Sequence, residues 1–206
     1  RDLVVAVMTE LPTSKAGAAD RYSAVRGGGV QGERIDLRTG RRTGRKPRPS
    51  RARGVAHGFA SLAKFFPEGK AWLATLEEKL WRELEPRGAA HGRPVFDDQY
   101  ISTGGQLHEL LAGHDRFIAD LRPLVPRRAG GGNSLPCHPY DICPALIAEE
   151  AGCVITGPDG GPLRAPLDTT TPVAWIGYAN PALARRIGPV LRRLLKKQGG
   201  VAERAG

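Results

Sequence analysis

The sequence predicts a layered α/β fold in which helices cover a mixed sheet. Three observations carry that expectation. Short apolar strands alternate, unevenly, with helical patterns. One segment, 142–197, reads as helix, strand, turn, strand and helix in succession. The longest apolar runs are only a few residues, far short of the roughly 20 that a membrane-spanning helix needs. At 206 residues the chain holds one ordinary domain or two small ones. Residues 1–94 are expected to form a central sheet region and residues 95–206 a C-terminal α/β unit.

Taken in order, Leu3–Thr9 is Val-rich and predicts a strand buried on both faces. Gly27, Gly28 and Gly29 mark a turn, and Glu33–Leu37 alternates as a strand should. His57–Phe66 is mixed and reads as weakly helical. Glu68–Leu84 is the clearest amphipathic helix. Leu73, Leu76, Leu80 and Leu84 form its stripe, with Glu77, Glu78 and Lys79 assigned to the opposite face. Pro86 and Gly88 stop it.

Val95–Ile101 is read as a strand. Ser102–Gly105 is read as a turn into a helix over Gln106–Ala112, with Gly113 as its C-cap. Phe117–Asp120 is a strand ending on an acid, and Pro126–Ser134 a flexible excursion. Asp141 is expected to cap a third helix that tolerates Pro144 in its first turn. Gly152 ends that helix, Cys153–Thr156 and Val173–Tyr178 are strands, and Asn180–Pro181 opens the last helix, with a kink expected at Pro189.

The net charge of +10 is unevenly placed. Residues 38–53 carry eight Lys/Arg and no acid, and residues 185–206 carry +6, leaving the remainder at −4. The basic loop suits phosphate contact. It equally suits a solvated connection held extended by like charges. No aromatic interleaves with its cations, so nucleic acid is the less favoured partner. The three cysteines, Cys137, Cys143 and Cys153, make no CxxC pair. Half-buried thiols in a reducing, cytoplasmic compartment are favoured over a disulfide framework or a Cys–His metal cluster. The chain opens on Arg1 and its only methionine is Met8. It therefore reads as the C-terminal portion of a longer protein.

Three segments resemble the inositol monophosphatase-like family of Mg²⁺-dependent phosphatases, which includes fructose-1,6-bisphosphatases. Tyr140-Asp141-Ile142 with Glu149-Glu150-Ala151-Gly152 is similar to that family's aromatic–Asp and Glu-Ala-Gly signature. Val154-Ile155-Thr156 with Asp159-Gly160 and Pro162-Leu163 resembles the strand and turn after it. Ile176-Gly177-Tyr178-Ala179-Asn180 resembles its closing strand and final helix. Upstream, Ser102–Gly105, Ala112–His114 and Asp120 are similar to a small-residue turn, helix and acid-ended strand. The family's Asp-Pro-x-Asp-Gly metal motif and its other N-terminal acidic elements are absent from this sequence.

The resemblance implies an α/β/α sandwich of the sugar-phosphatase type. It also implies Mg²⁺-dependent hydrolysis of an inositol phosphate or similar sugar phosphate, and it allows a homodimer. Asp141 falls where the family places a metal-binding carboxylate. Asp120 falls where an acid binds a substrate hydroxyl, and Thr103 and Gly104 lie near the substrate-side turn. Glu149 and Glu150 are expected to be solvated, and His138 structural. One Asp does not by itself hold Mg²⁺, which prefers several oxygens in octahedral order, so the isolated chain is expected to be inactive or nearly so. The alternative is a non-catalytic basic module, or a pseudo-phosphatase, that binds polyanions.

Overall fold

The computed structural model describes residues 3–11, 16–126 and 135–198. Two sheets organise it. The first is antiparallel, in the order β1 (Val5–Thr9), β2 (Ala18–Val25), β3 (Val30–Asp36), β4 (Arg42–Gly44). The second is mixed, in the order β6 (Val95–Phe96), β5 (Gly58–Leu62), β7 (Asp115–Asp120), β9 (Trp175–Tyr178), β8 (Val154–Thr156). In it β6, β5 and β7 run parallel, β9 is antiparallel to β7, and β8 is antiparallel to β9. The mixed sheet therefore draws strands from both sides of residue 95.

Strand alternation sets the layers of the mixed sheet. Phe117 packs against Trp81 and Tyr178, which places α1 (Lys70–Leu84) and α4 (Pro181–Lys197) over one face. Ile118 pairs with Gly177 and belongs to the other face. There, a Cβ on Gly177 would come 2.6 Å from the Leu110 side chain of α2 (Thr103–Ala112). That close approach is what the missing side chain permits. The short α3 (Ala145–Glu150) packs beside α2. The antiparallel sheet adds a layer beyond α3, and the carboxylate of Glu150 fixes it there. Glu150 accepts N–H bonds from Gly27 (2.7 Å) and Gly29 (2.8 Å) in the β2–β3 turn. It thus tethers the turn while remaining at the surface.

Several expectations are corrected. Leu3–Thr9 is not a doubly covered strand: β1 pairs only with β2, leaving Val5 and Val7 more than half exposed while Ala6 is buried. His57–Phe66 holds strand β5 and no helix, because its position between two neighbours overrides a weak local preference. The strand at Val95 stops after Phe96. The strand Ala18–Val25 carried no recognised signal in the sequence.

Asp141 does not cap α3. Pro144 pushes the preceding residue away from helical geometry, and the helix begins only at Ala145. Glu77 lies on the buried face of α1, four residues after Leu73 and three before Leu80. The excursion predicted near Gly130–Gly132 lies outside the described residues, as does the tail beyond Gln198.

The basic segment 38–53 is bound to the body. Arg45 donates its N–H to the Gly32 carbonyl and Arg48 to that of Leu111. The Asn180 amide donates to Ser50 O (2.7 Å) and Ala52 O (2.9 Å). The same side chain caps α4, its Oδ1 accepting from Ala182 N and Leu183 N. Among the described residues no helix is long and apolar enough to cross a membrane.

Two outcomes follow for stability. Asn180→Ala removes a cap and uncovers two loop carbonyls, and should lower unfolding free energy by about 2 kcal/mol in urea titration. Asp115 is 4% exposed, and burial pushes its carboxyl up to about 7. The folded state therefore holds a proton that the unfolded chain releases near pH 4. The stability this proton confers is complete below that point and is lost as pH rises through about 7. Asp115→Asn should flatten the decline and raise Tm at pH 8 with little effect at pH 4; an unchanged pH profile would exclude Asp115 as its source.

Candidate functional site

The parallel strands β5 and β7 end side by side, with Leu62 opposite Ala119. In such sheets the crevice beyond the carboxyl ends is where ligands bind. Four short stretches meet there: Lys64–Phe66 after β5, Asp120–Arg122 at the end of β7, the N-terminus of α2, and residues 137–141.

Asp120 is fully buried and saturated. Arg122 donates Nε to Oδ1 (2.8 Å) and Nη2 to Oδ2 (2.6 Å). The backbone N–H groups of Arg122 (3.3 Å) and Cys137 (3.4 Å) also reach the carboxylate. The guanidinium lies over the Phe65 ring, 4.4 Å from its centroid. A carboxylate so engaged, at zero exposure, has no free oxygen for a substrate hydroxyl. In the structure Asp120 organises the end of β7, holding Arg122 and the Cys137 N–H.

Thr103 and Gly104 are not in a turn: they form the first turn of α2. Ser102 caps the helix by accepting Gly105 N–H at 3.0 Å. An added Cβ on Gly104 would meet nothing within 4 Å, so a side chain at that position would have room. The Thr103 hydroxyl lies beside the Cys137 thiol, which burial pushes up to about 12. That thiol stays protonated and is no nucleophile at neutral pH.

Asp141 closes a tight turn. Its N–H donates to His138 O (2.9 Å), and its Oδ2 accepts from His138 N–H (2.9 Å). The side chain is 35% exposed, which leaves Oδ1 available. His138 stacks on the Tyr140 ring at 5.4 Å, with 2° between the planes. Asp120, Asp141, Thr103 and Arg122 all act on Cys137. The four therefore share one neighbourhood.

The sequence missed an ionic cluster beside it. Lys64 Nζ lies 2.7 Å from Glu77 Oε2 and 2.5 Å from Asp97 Oδ2. Glu77 Oε1 accepts Leu62 N–H (2.7 Å), and burial pushes the Glu77 carboxyl up. Gln99 accepts Lys64 N–H (3.0 Å) and donates to Leu62 O (3.1 Å). The available signal was an acid placed at the helix spacing of the leucine stripe.

Magnesium takes near-octahedral oxygen sets. Within the four stretches that meet in this crevice, Asp141 keeps a carboxylate oxygen clear of hydrogen bonds and Asp120 does not, and one such oxygen does not make up the ion's set.

No known protein-family model matches the sequence, and no curated protein does either. Solved structures do share the fold. Mycobacterium tuberculosis SuhB superposes with a TM-score of 0.53 at 16% identity, over 90% of this chain and 60% of that one. Leishmania major fructose-1,6-bisphosphatase in its holo form gives 0.54 at 16%, over 86% of this chain and 50% of that one. Its T-state gives 0.53 at 15%, over 89% and 51%. The chain thus shares its mixed α/β fold with SuhB and with fructose-1,6-bisphosphatase. Within it, the chain spans about 60% of SuhB and half of the Leishmania enzyme.

Arg122→Met strands a buried anion and should cost about 3–5 kcal/mol of stability. Adding Asp120→Asn should recover much of that loss. Equal losses in the single and double variants, read by denaturant titration, would contradict the coupling.

Proposed function

We propose that this crevice receives the phosphate of a small phosphorylated sugar or inositol, and that the complete protein hydrolyses its phosphomonoester with Mg²⁺. The observation that carries the reading is the juxtaposition of two features beside Cys137. One is the N-terminus of α2, where Gly104 has room beside it for a further group. The other is the partly exposed carboxylate of Asp141. A helix N-terminus presents unpaired N–H groups and a partial positive charge, which suits a phosphate anion. The fold shared with SuhB and with fructose-1,6-bisphosphatase supports the same class of substrate.

The residues divide the work. The first-turn N–H groups of α2 bind and orient phosphate oxygens. Asp120 and Arg122 hold the end of β7 and residues 135–137 in register, so that the helix and Asp141 keep their separation. Phe65 and Phe66 flank the guanidinium and keep water from it. Asp141, with its carboxylate partly exposed, would be this chain's contribution to holding a divalent cation. When bound, such a cation supplies charge neutralisation at phosphorus and a water of lowered pKa.

Calorimetric titration of the chain with inorganic phosphate and with an inositol monophosphate tests the binding half. Saturable binding is expected, weakened about 10-fold in Gly104→Ala. That substitution should leave stability equal or slightly higher, since alanine is the better helix former. Phosphate release from inositol monophosphate by the full-length gene product tests the hydrolytic half. Asp141→Asn should lower Mg²⁺-dependent turnover by about 100-fold or more. Undiminished turnover would remove Asp141 from the metal site.

A further inference from the structure

A second cluster of ligating side chains lies away from the crevice. Glu10 follows β1, Asp20 lies in β2 and His108 lies in the middle of α2. Ligand atoms from all three fall within 4.8 Å of one another, and among the described residues this is the one group of three or more that does so. We propose that Glu10, Asp20 and His108 bind a divalent transition-metal ion of the zinc type, which clamps the antiparallel sheet to helix α2.

The state of the His108 ring argues for a cation. Its Nδ1 faces Glu109 Oε1 at 3.4 Å. Its Nε2 is buried and has no hydrogen-bond partner among the described residues. A ring whose Nδ1–H points to a carboxylate presents a lone pair at Nε2. Burying that lone pair unpaired is costly. Metal-ligating histidines commonly have this arrangement, with a carboxylate behind the imidazole fixing its tautomer and raising its basicity. Glu109 is itself anchored, accepting from His114 Nδ1 at 2.6 Å. Tyr22 packs against the imidazole with ring centroids 6.0 Å apart and limits its rotation.

The carboxylates are also held. Glu10 donates its N–H to Asp20 O (2.9 Å), and Asp20 donates its own to Glu10 Oε2 (2.9 Å). Arg45 Nε sits 3.1 Å from Asp20 Oδ2, and each carboxylate still offers one oxygen within the cluster. Glu10 is exposed while Asp20 is buried, so the site has an entry side. One imidazole with two carboxylates suits Zn²⁺, Co²⁺ or Mn²⁺, whereas Mg²⁺ favours oxygen ligands and keeps its waters.

The competing occupant is a proton on His108, which Glu109, Glu10 and Asp20 all favour and burial opposes. Titration of the chelator-stripped chain separates the two. Zn²⁺ followed by calorimetry and Co²⁺ followed by its visible absorption should each report one saturable site. Affinity should fall about 10-fold or more in Glu10→Gln, in His108→Gln and in Glu109→Gln. It should be unchanged in Asp141→Asn, so failure here is distinct from failure of the phosphatase reading. Circular dichroism checks the fold of each variant. Glu10 is exposed, so Glu10→Gln reports on the site even if the His108 variant misfolds. No saturable binding, binding untouched by Glu10→Gln, or displacement of Zn²⁺ by an equal concentration of Mg²⁺ would each overturn the assignment.

Discussion

The buried ion pair between Asp120 and Arg122 is the constraint on which the crevice depends. Four N–H groups converge on one carboxylate that has no access to water. A buried charge is tolerable only when its partners are complete. Completing them fixes three separate stretches of chain. Arg122 must curl back over the end of β7, Phe65 must lie under the guanidinium, and Cys137 must turn its N–H inward. The neighbourhood of Asp141 inherits its position from that requirement.

A parallel device operates one strand away. Lys64, Glu77 and Asp97 form a chain of charges at the end of β5, and Gln99 completes the hydrogen bonds of Lys64 N and Leu62 O. Together the two clusters satisfy polar groups exactly where the sheet stops pairing, as buried backbone requires. The carboxyl ends of β5 and β7 are therefore polar but rigid. Such a scaffold can hold a helix N-terminus and a carboxylate at fixed separation without a large apolar pocket.

The charge distribution has a similar structural explanation. Part of the basic excess is engaged by the body's own acids. Arg45 pairs with Asp20, Arg42 with Glu33, and Arg186 with the buried Glu85. Arg193 pairs with Glu83. These contacts, with the Asn180 amide holding two loop carbonyls, turn a segment that repels itself in isolation into an ordered strap. Charge composition by itself carries no information about these internal partners.

Local chemistry was legible in the sequence where it acts over a few residues. The leucine stripe of α1, the Gly113 cap, the Asn180–Pro181 start of α4 and the acid-ended strand at Asp120 all depend on near neighbours. So did the resemblance around Tyr140–Gly152, which led to the right class of fold. What the sequence could not decide was pairing over distance. Whether Asp120 faces a substrate or an arginine, whether Glu77 is solvated or buried, and whether β5 is helix or strand each depend on what packs opposite. The same holds for Glu10, Asp20 and His108, which come together only when a sheet and a helix from distant parts of the chain dock. Side-chain type sets what a group can bind, and tertiary packing alone sets which groups are within reach.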